Sequence, residues 1–173
     1  MLDETTEFGA HAAKRLRGDI IGWLTTVTAE GAPRPIPIWF LWDAPRGEQP
    51  VPPVGPPPQD PLAPLEASGA APAHVGRGDG RSILLYSRPG TRKLANIAGN
   101  PHVSLNLDSD GIDADIVICW GEIRVSDDPP ANGVPEYIAK YAKPIEALGW
   151  TPDGFGADFS VPLRIELSRI HGW

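Results

Sequence analysis

Sulfur is scarce in this chain of 173 residues, which has one cysteine and one methionine. The lone Cys119 excludes a disulfide framework within the chain and any CxxC metal knuckle, and it fits a reducing compartment. Basic charge is also in deficit. Fifteen Lys and Arg against 22 Asp and Glu leave −7 at pH 7, the opposite of the basic excess that grips a phosphate backbone, so nucleic acid is not an expected partner. No stretch approaches 18 consecutive apolar residues, and none is expected to enter a membrane. The opening MLDETTEFGAHAAKRLRG is acidic where a signal peptide carries positive charge and then an apolar core, so the expected location is cytoplasmic.

Recognisable catalytic and metal signatures are missing as well. There is no nucleophile elbow, P-loop or GxGxxG fingerprint. The four histidines, His11, His74, His102 and His171, show no ligand spacing. Asn106, Asp108, Asp110 and Gly111 fall in the register of a calcium loop, but Val117 stands where the bidentate Glu is needed, so the stretch reads as a hairpin turn and no metal is expected. Any chemistry is therefore expected to be carried by a bound organic cofactor.

The informative stretch is Ile83 to Pro101, ILLYSRPGTRKLANIAGNP. Ile83, Leu84, Leu85 and Tyr86 read as a buried strand ended by Ser87 and the turn pair Pro89-Gly90. A helix follows, with Thr91 as N-cap, Leu94, Ile97 and Ala98 at helical spacing, and Gly99-Asn100-Pro101 as its stop. Hydroxyls on Ser87 and Thr91 and cations on Arg88, Arg92 and Lys93 gather where backbone N–H groups are unpaired and the helix dipole is positive. Arg offers a planar fork, Lys a mobile point charge, and the hydroxyls donate without bulk. Cations at that end of a helix are unfavourable unless an anion compensates them, which points to a phosphate site rather than a solvated cluster.

Around this stretch the chain reads as follows. A helix is expected from about Thr6 to Arg17, with Phe8, Ala12 and Leu16 on one face. Ile21–Thr28 and Pro35–Trp42 form a hairpin about Glu30-Gly31. The second run, PIPIWFLW, is apolar at almost every position, so both faces are expected to be covered, one by the core and one by a ligand ring or partner subunit. Residues 45–80 include ten prolines and no aromatic residue, and read as a disordered insertion within a single domain spanning 1–173. Strands follow at His102–Leu107 and Asp115–Val125. A helix capped by Asn132 then runs to Gly149 and is kinked or divided at Pro144. The last strand, Ala157–Trp173, carries Phe159, Val161, Leu163, Ile165 and Leu167 at period two. Strands joined by hairpins, with helices at the breaks, give an antiparallel barrel with helices at its edges.

The order of these elements, with Trp39-Phe40, Tyr86-Ser87, Thr91-Arg92-Lys93 and Asn96, resembles the pyridoxamine 5′-phosphate oxidase-like split-barrel superfamily, and within it the B group of flavin and deazaflavin oxidoreductases. That resemblance covers nearly everything except the insertion. It implies a mainly β fold with helices, a six-stranded antiparallel split β-barrel, assembled as a homodimer with the cofactor in a groove at the subunit interface. It further implies that F420, or alternatively FMN, is bound with its phosphate on Ser87, Arg88, Thr91, Arg92 and Lys93 and its ring along Pro37, Ile38, Trp39 and Phe40. The implied activity is F420-dependent hydride transfer from C5 to a conjugated small molecule. An FMN-binding oxidase and a non-catalytic F420 carrier are the alternatives. Pro-Ile-Trp-Phe stands where oxidases of pyridoxamine phosphate carry an arginine, a departure from vitamin B6 chemistry. Tyr86 is the nearest candidate proton donor, against the commoner fate of a packed strand tyrosine, and no catalytic residue is assigned.

Overall fold

The computed structural model describes residues 2–44, 80–109 and 115–173. The proline-rich stretch, apart from Gly80, and the tip of the acidic turn at 110–114 lie outside them. Among the described residues, α1 (Glu7–Gly18) precedes β1 (Gly22–Val27), β2 (Pro33–Ile38), β3 (Phe40–Trp42) and β4 (Ser82–Ser87). Then come α2 (Arg92–Gly99), β5 (His102–Leu107), β6 (Val117–Val125), α3 (Pro135–Ala147), α4 (Pro152–Asp158) and β7 (Val161–Gly172). The seven strands form one antiparallel sheet in the order β2-β1-β5-β6-β7-β4-β3.

The count of seven rather than six has a definite origin. The run expected as one strand over 35–42 breaks at Trp39, so its first half pairs with β1 (Ile38 opposite Gly22) and its second with β4 (Phe40 opposite Leu85). Those partners lie toward opposite ends of the strand order. Because a single residue separates the halves, the run joins the two edges of the sheet and curls it into a barrel. The backbone freed at this corner is caught by Tyr141 of α3, whose Oη accepts the Phe40 N–H at 2.7 Å. Its own proton is directed to the Phe40 carbonyl (2.8 Å) or the Ile20 carbonyl (3.1 Å). Tyr141→Phe strands the buried Phe40 N–H and is expected to lower stability by about 1–3 kcal/mol in a urea titration.

Two apolar clusters share β4, which explains why all six of its residues are buried. Ile83 and Leu85 face the barrel core with Leu24, Phe40, Leu105, Leu163 and Ile165. Leu84 and Tyr86 face the opposite way, onto Tyr137, Tyr141 and Ile145 of α3 and Phe155 of α4. By contrast β2 is largely exposed on its outer face in the single chain, the face expected to meet a ligand ring or partner subunit: Pro35 and Pro37 are open, and Trp23, opposite Pro37, is 41% exposed.

Helix ends differ from expectation in three places. Thr91 holds the N-cap position of α2, but its side chain makes no capping bond. Asn132 lies in a 3-10 turn, Ala131–Gly133, and Val134 occupies the N-cap position of α3 without a side-chain capping bond, the helix continuing through Pro144 to Ala147. Residues 152–158, partly assigned to the last strand, form α4 instead, opened by Thr151 accepting from the Gly154 N–H at 3.0 Å with Pro152 in the first turn.

Candidate functional site

Ser87 ends β4 and is fully buried. Gly90 takes a positive φ of 70°, a conformation that favours glycine, and the short loop returns so that Thr91 Oγ1 lies 2.8 Å from Ser87 Oγ. The Thr91 hydroxyl is thus spent on the loop rather than on the helix, and no side chain caps the first turn of α2. Asn96 anchors the helix to the barrel, donating from Nδ2 to Thr26 Oγ1 at 2.9 Å.

The cations diverge from this base. Arg92 is exposed on the first turn. Lys93 turns inward, half-buried, with no carboxylate partner among the described residues, and desolvation holds its ammonium pKa below the usual lysine value. Arg88 points the other way, to Asp158 at 3.0 Å, with its guanidinium 4.8 Å from the Phe159 ring centre and 6.0 Å from Trp150.

Lys93 enters a cavity of about 270 Å³ shared with Pro37, Ile38, Trp39 and Tyr86. Four of the residues expected around a cofactor are therefore brought together: Lys93 from α2 and the three that run into the barrel corner. Phe40 is not among them. It points into the barrel core, fully buried, with Lys140 Nζ 4.0 Å over its ring. Lys140 also donates to the Leu16 carbonyl at 3.3 Å, and burial lowers its pKa to about 8.

The far wall of the cavity was not anticipated. Tyr137 of α3 and Trp150, Phe155 and Phe159 around α4 line it. Trp39 is held rigidly against this wall, stacked on Tyr141 with centroids 4.6 Å apart and planes within 3°, and on Phe155 at 5.2 Å. Tyr137 and Tyr141 are four apart on α3, a helical spacing that placed both on one face. The wall from α4 was obscured because residues 152–156 were assigned no element and the helix end, from Ala157, was read as strand.

Behind Tyr86 lies a buried charge cluster. Arg164 of β7, 5% exposed, forms a two-point contact with Asp128, at 2.9 Å from Nε and 2.5 Å from Nη2. Its Nη1 donates to Ser82 Oγ at 2.7 Å and lies 3.4 Å from Asp43. Asp128 also accepts from Ser126 at 2.6 Å. The segment fixed in this way includes Pro129, whose carbonyl accepts the Tyr86 hydroxyl at 2.7 Å. Tyr86 is accordingly a packed, tethered tyrosine, and burial raises its phenol pKa.

The sequence profile of the pyridoxamine 5′-phosphate oxidase family matches residues 61–170. Among solved structures, a pyridoxamine 5′-phosphate oxidase-like protein from Listeria innocua aligns with a TM-score of 0.57 at 16% identity, covering 96% of this chain and 98% of its own. A protein described as an F420 reductase aligns with a TM-score of 0.50 at 19% identity, covering 91% and 94%. HutZ, the heme storage protein from Vibrio cholerae, aligns at 0.50 and 15% identity, covering 92% and 90%. At these identities the likeness is one of fold. Among curated protein sequences, none matches the chain. Among the described residues, no helix is long and apolar enough to cross a membrane.

Proposed function

Since the chain belongs to the pyridoxamine 5′-phosphate oxidase family, we propose that it is an F420-dependent oxidoreductase acting on a conjugated small organic molecule. The observation that carries this reading is Lys93, a half-buried cation with no carboxylate partner among the described residues, placed at an uncapped helix N-terminus and facing an aromatic cavity. Desolvating such a charge is unfavourable unless an anion completes it. The family fold, with an F420 reductase among its structural neighbours, supports the same conclusion.

The donor set suits a phosphate. Lys93, Arg92 and the N–H groups opening α2 would hold it, while the Ser87 and Thr91 hydroxyls, bonded to each other and to the Arg88 carbonyl, would join only by giving up those bonds. Arg88 joins them only by leaving Asp158, an exposed pair worth little. Pro37, Ile38 and Trp39 would flank the ring, with Phe40 supporting them from the core side. When bound, the deazaflavin supplies hydride transfer at C5. The protein's part is orientation and exclusion of water, for which the stacked Trp39 is a rigid wall.

The test is a fluorescence titration of the purified protein with F420 and, separately, with FMN. Binding of F420 with weak binding of FMN supports the reading. A preference for FMN moves the protein to the flavin oxidases, and binding of F420 without turnover of any conjugated acceptor makes it a carrier.

A homodimer is part of the same proposal. Ile20, Ile21 and Trp23, each 37–41% exposed, adjoin the open prolines of β2, and Ile21 and Pro37 also line the cavity. A second copy on this face would cover the open apolar surface and complete the mouth of the site. Trp23→Asp is expected to shift the species seen by light scattering from dimer to monomer and to weaken cofactor binding along with it. An unchanged dimer would place the interface elsewhere.

A further inference from the structure

The chain has three tyrosines, Tyr86, Tyr137 and Tyr141, and all three are buried in one cluster against the cavity wall. Two have their hydroxyls committed to the protein: Tyr86 to the Pro129 carbonyl, and Tyr141 to the backbone at Phe40 and Ile20. Tyr137 is different. It is 1% exposed, it lines the cavity, and its hydroxyl has no hydrogen-bond partner among the described residues. Its ring is held from two sides, edge-on by Tyr86 at 4.9 Å and tilted against Tyr141 at 4.8 Å.

Asn106 Oδ1 is the fully buried side-chain polar atom left without a partner among the described residues, so the Tyr137 hydroxyl opens on the cavity and is satisfied there by water or a ligand rather than by the protein. The other described residues lining the cavity are mostly aromatic or aliphatic, with Lys93 the single charge among them. We propose that the Tyr137 hydroxyl is a recognition donor that reads an uncharged acceptor oxygen, a carbonyl conjugated to a flat ring system, on a molecule bound in this cavity. The aromatic walls select flatness, Tyr137 selects the carbonyl, and Lys93 is left for an anionic group. Burial, together with Tyr141 and Tyr86 nearby, raises the Tyr137 phenol pKa well above its ordinary value. It therefore stays protonated and serves as a donor of hydrogen bonds rather than of protons.

The inference concerns the site of the proposed function and rests on that reading only for which bound molecule, cofactor ring or substrate, supplies the carbonyl. A matched pair of probes tests it without any cofactor. Fluorenone and fluorene have the same flat tricyclic outline, but only fluorenone carries the carbonyl, and quenching of Trp39 and Trp150 reports their entry. The wild-type protein is expected to bind fluorenone about three- to tenfold more tightly than fluorene, the range of one neutral hydrogen bond. In Tyr137→Phe that preference should vanish, with fluorene binding unchanged. The melting temperature of the variant should be equal to or above that of the wild type, because no protein hydrogen bond is lost.

Equal wild-type affinity for the two probes, a preference retained in Tyr137→Phe, or a lowered melting temperature would each overturn the proposal. Titrating the same variant with F420 and FMN then separates the sources. Weakened cofactor binding assigns the donor to the cofactor ring, and unchanged binding, or no cofactor binding in either protein, assigns it to a separate conjugated carbonyl ligand. A failure of the cofactor reading thus stays distinguishable from a failure of this one.

Discussion

Asp128→Ala is expected to lower the unfolding free energy by roughly 3–5 kcal/mol, the largest effect of any single substitution considered, because it removes one partner of a buried ion pair and leaves the other behind. Arg164 would lose both bonds of its two-point contact, at 2.9 and 2.5 Å, while its Nη1 lies 3.4 Å from Asp43, too far to replace them well. Arg164→Met should be comparably damaging for the converse reason, since Asp128 and Asp43 would be left facing an apolar side chain. In a urea titration both variants should show a lower midpoint with an unchanged slope. A loss below about 1 kcal/mol would mean that the cluster is hydrated and behaves as a surface pair. The cost reaches the site through Pro129, because the segment that Asp128 pins supplies the carbonyl on which the Tyr86 hydroxyl rests.

None of that cluster could be read from the sequence, and the reason is physical. Asp43, Ser82, Asp128 and Arg164 lie on four separate segments, and nothing in spacing or periodicity links residues that meet only once the sheet is assembled. What the sequence expressed well was local. The period-two series from Val161 to Leu167 lies within β7, and the Gly99-Asn100-Pro101 stop sits at the end of α2. The break at Trp39 was concealed because a run apolar at nearly every position carries no phase, so one strand and two look alike. The aromatic wall was not anticipated, although half of it could have been. Tyr137 and Tyr141 share a helix face by spacing alone, whereas α4 contains two glycines and only Phe155 as a buried large residue, too weak a pattern to outweigh the strand beyond it. For the anion loop, the residues around Ser87 and Thr91 were read as a group, but their directions were not: Lys93 enters the cavity while Arg88 turns to Asp158.

That difference in direction decides which cation matters most for binding. Lys93→Ala is expected to weaken cofactor binding by about 1–3 kcal/mol, the range for a charge-assisted hydrogen bond, with little change in melting temperature. Arg88→Ala should cost less, since binding through Arg88 must first give up Asp158 and the Phe159 ring. The pH dependence follows from the same burial. Desolvation lowers the Lys93 pKa from 10.5, so the apoprotein loses this charge at lower pH than an exposed lysine would, whereas a bound phosphate favours the protonated form. Affinity should therefore be highest where Lys93 is charged and fall as pH rises through its lowered pKa, before 10.5 is reached. Stability of the apoprotein has the opposite sign. Between the lowered pKa and 10.5 the unfolded chain holds the extra proton, so the contribution of Lys93 to stability rises with pH across that window. Isothermal titrations at several pH values on wild type and Lys93→Ala check both the magnitude and the slope. An alkaline fall in affinity that survives in the variant would assign the titration to another group, and unchanged affinity at neutral pH would remove Lys93 from the phosphate site.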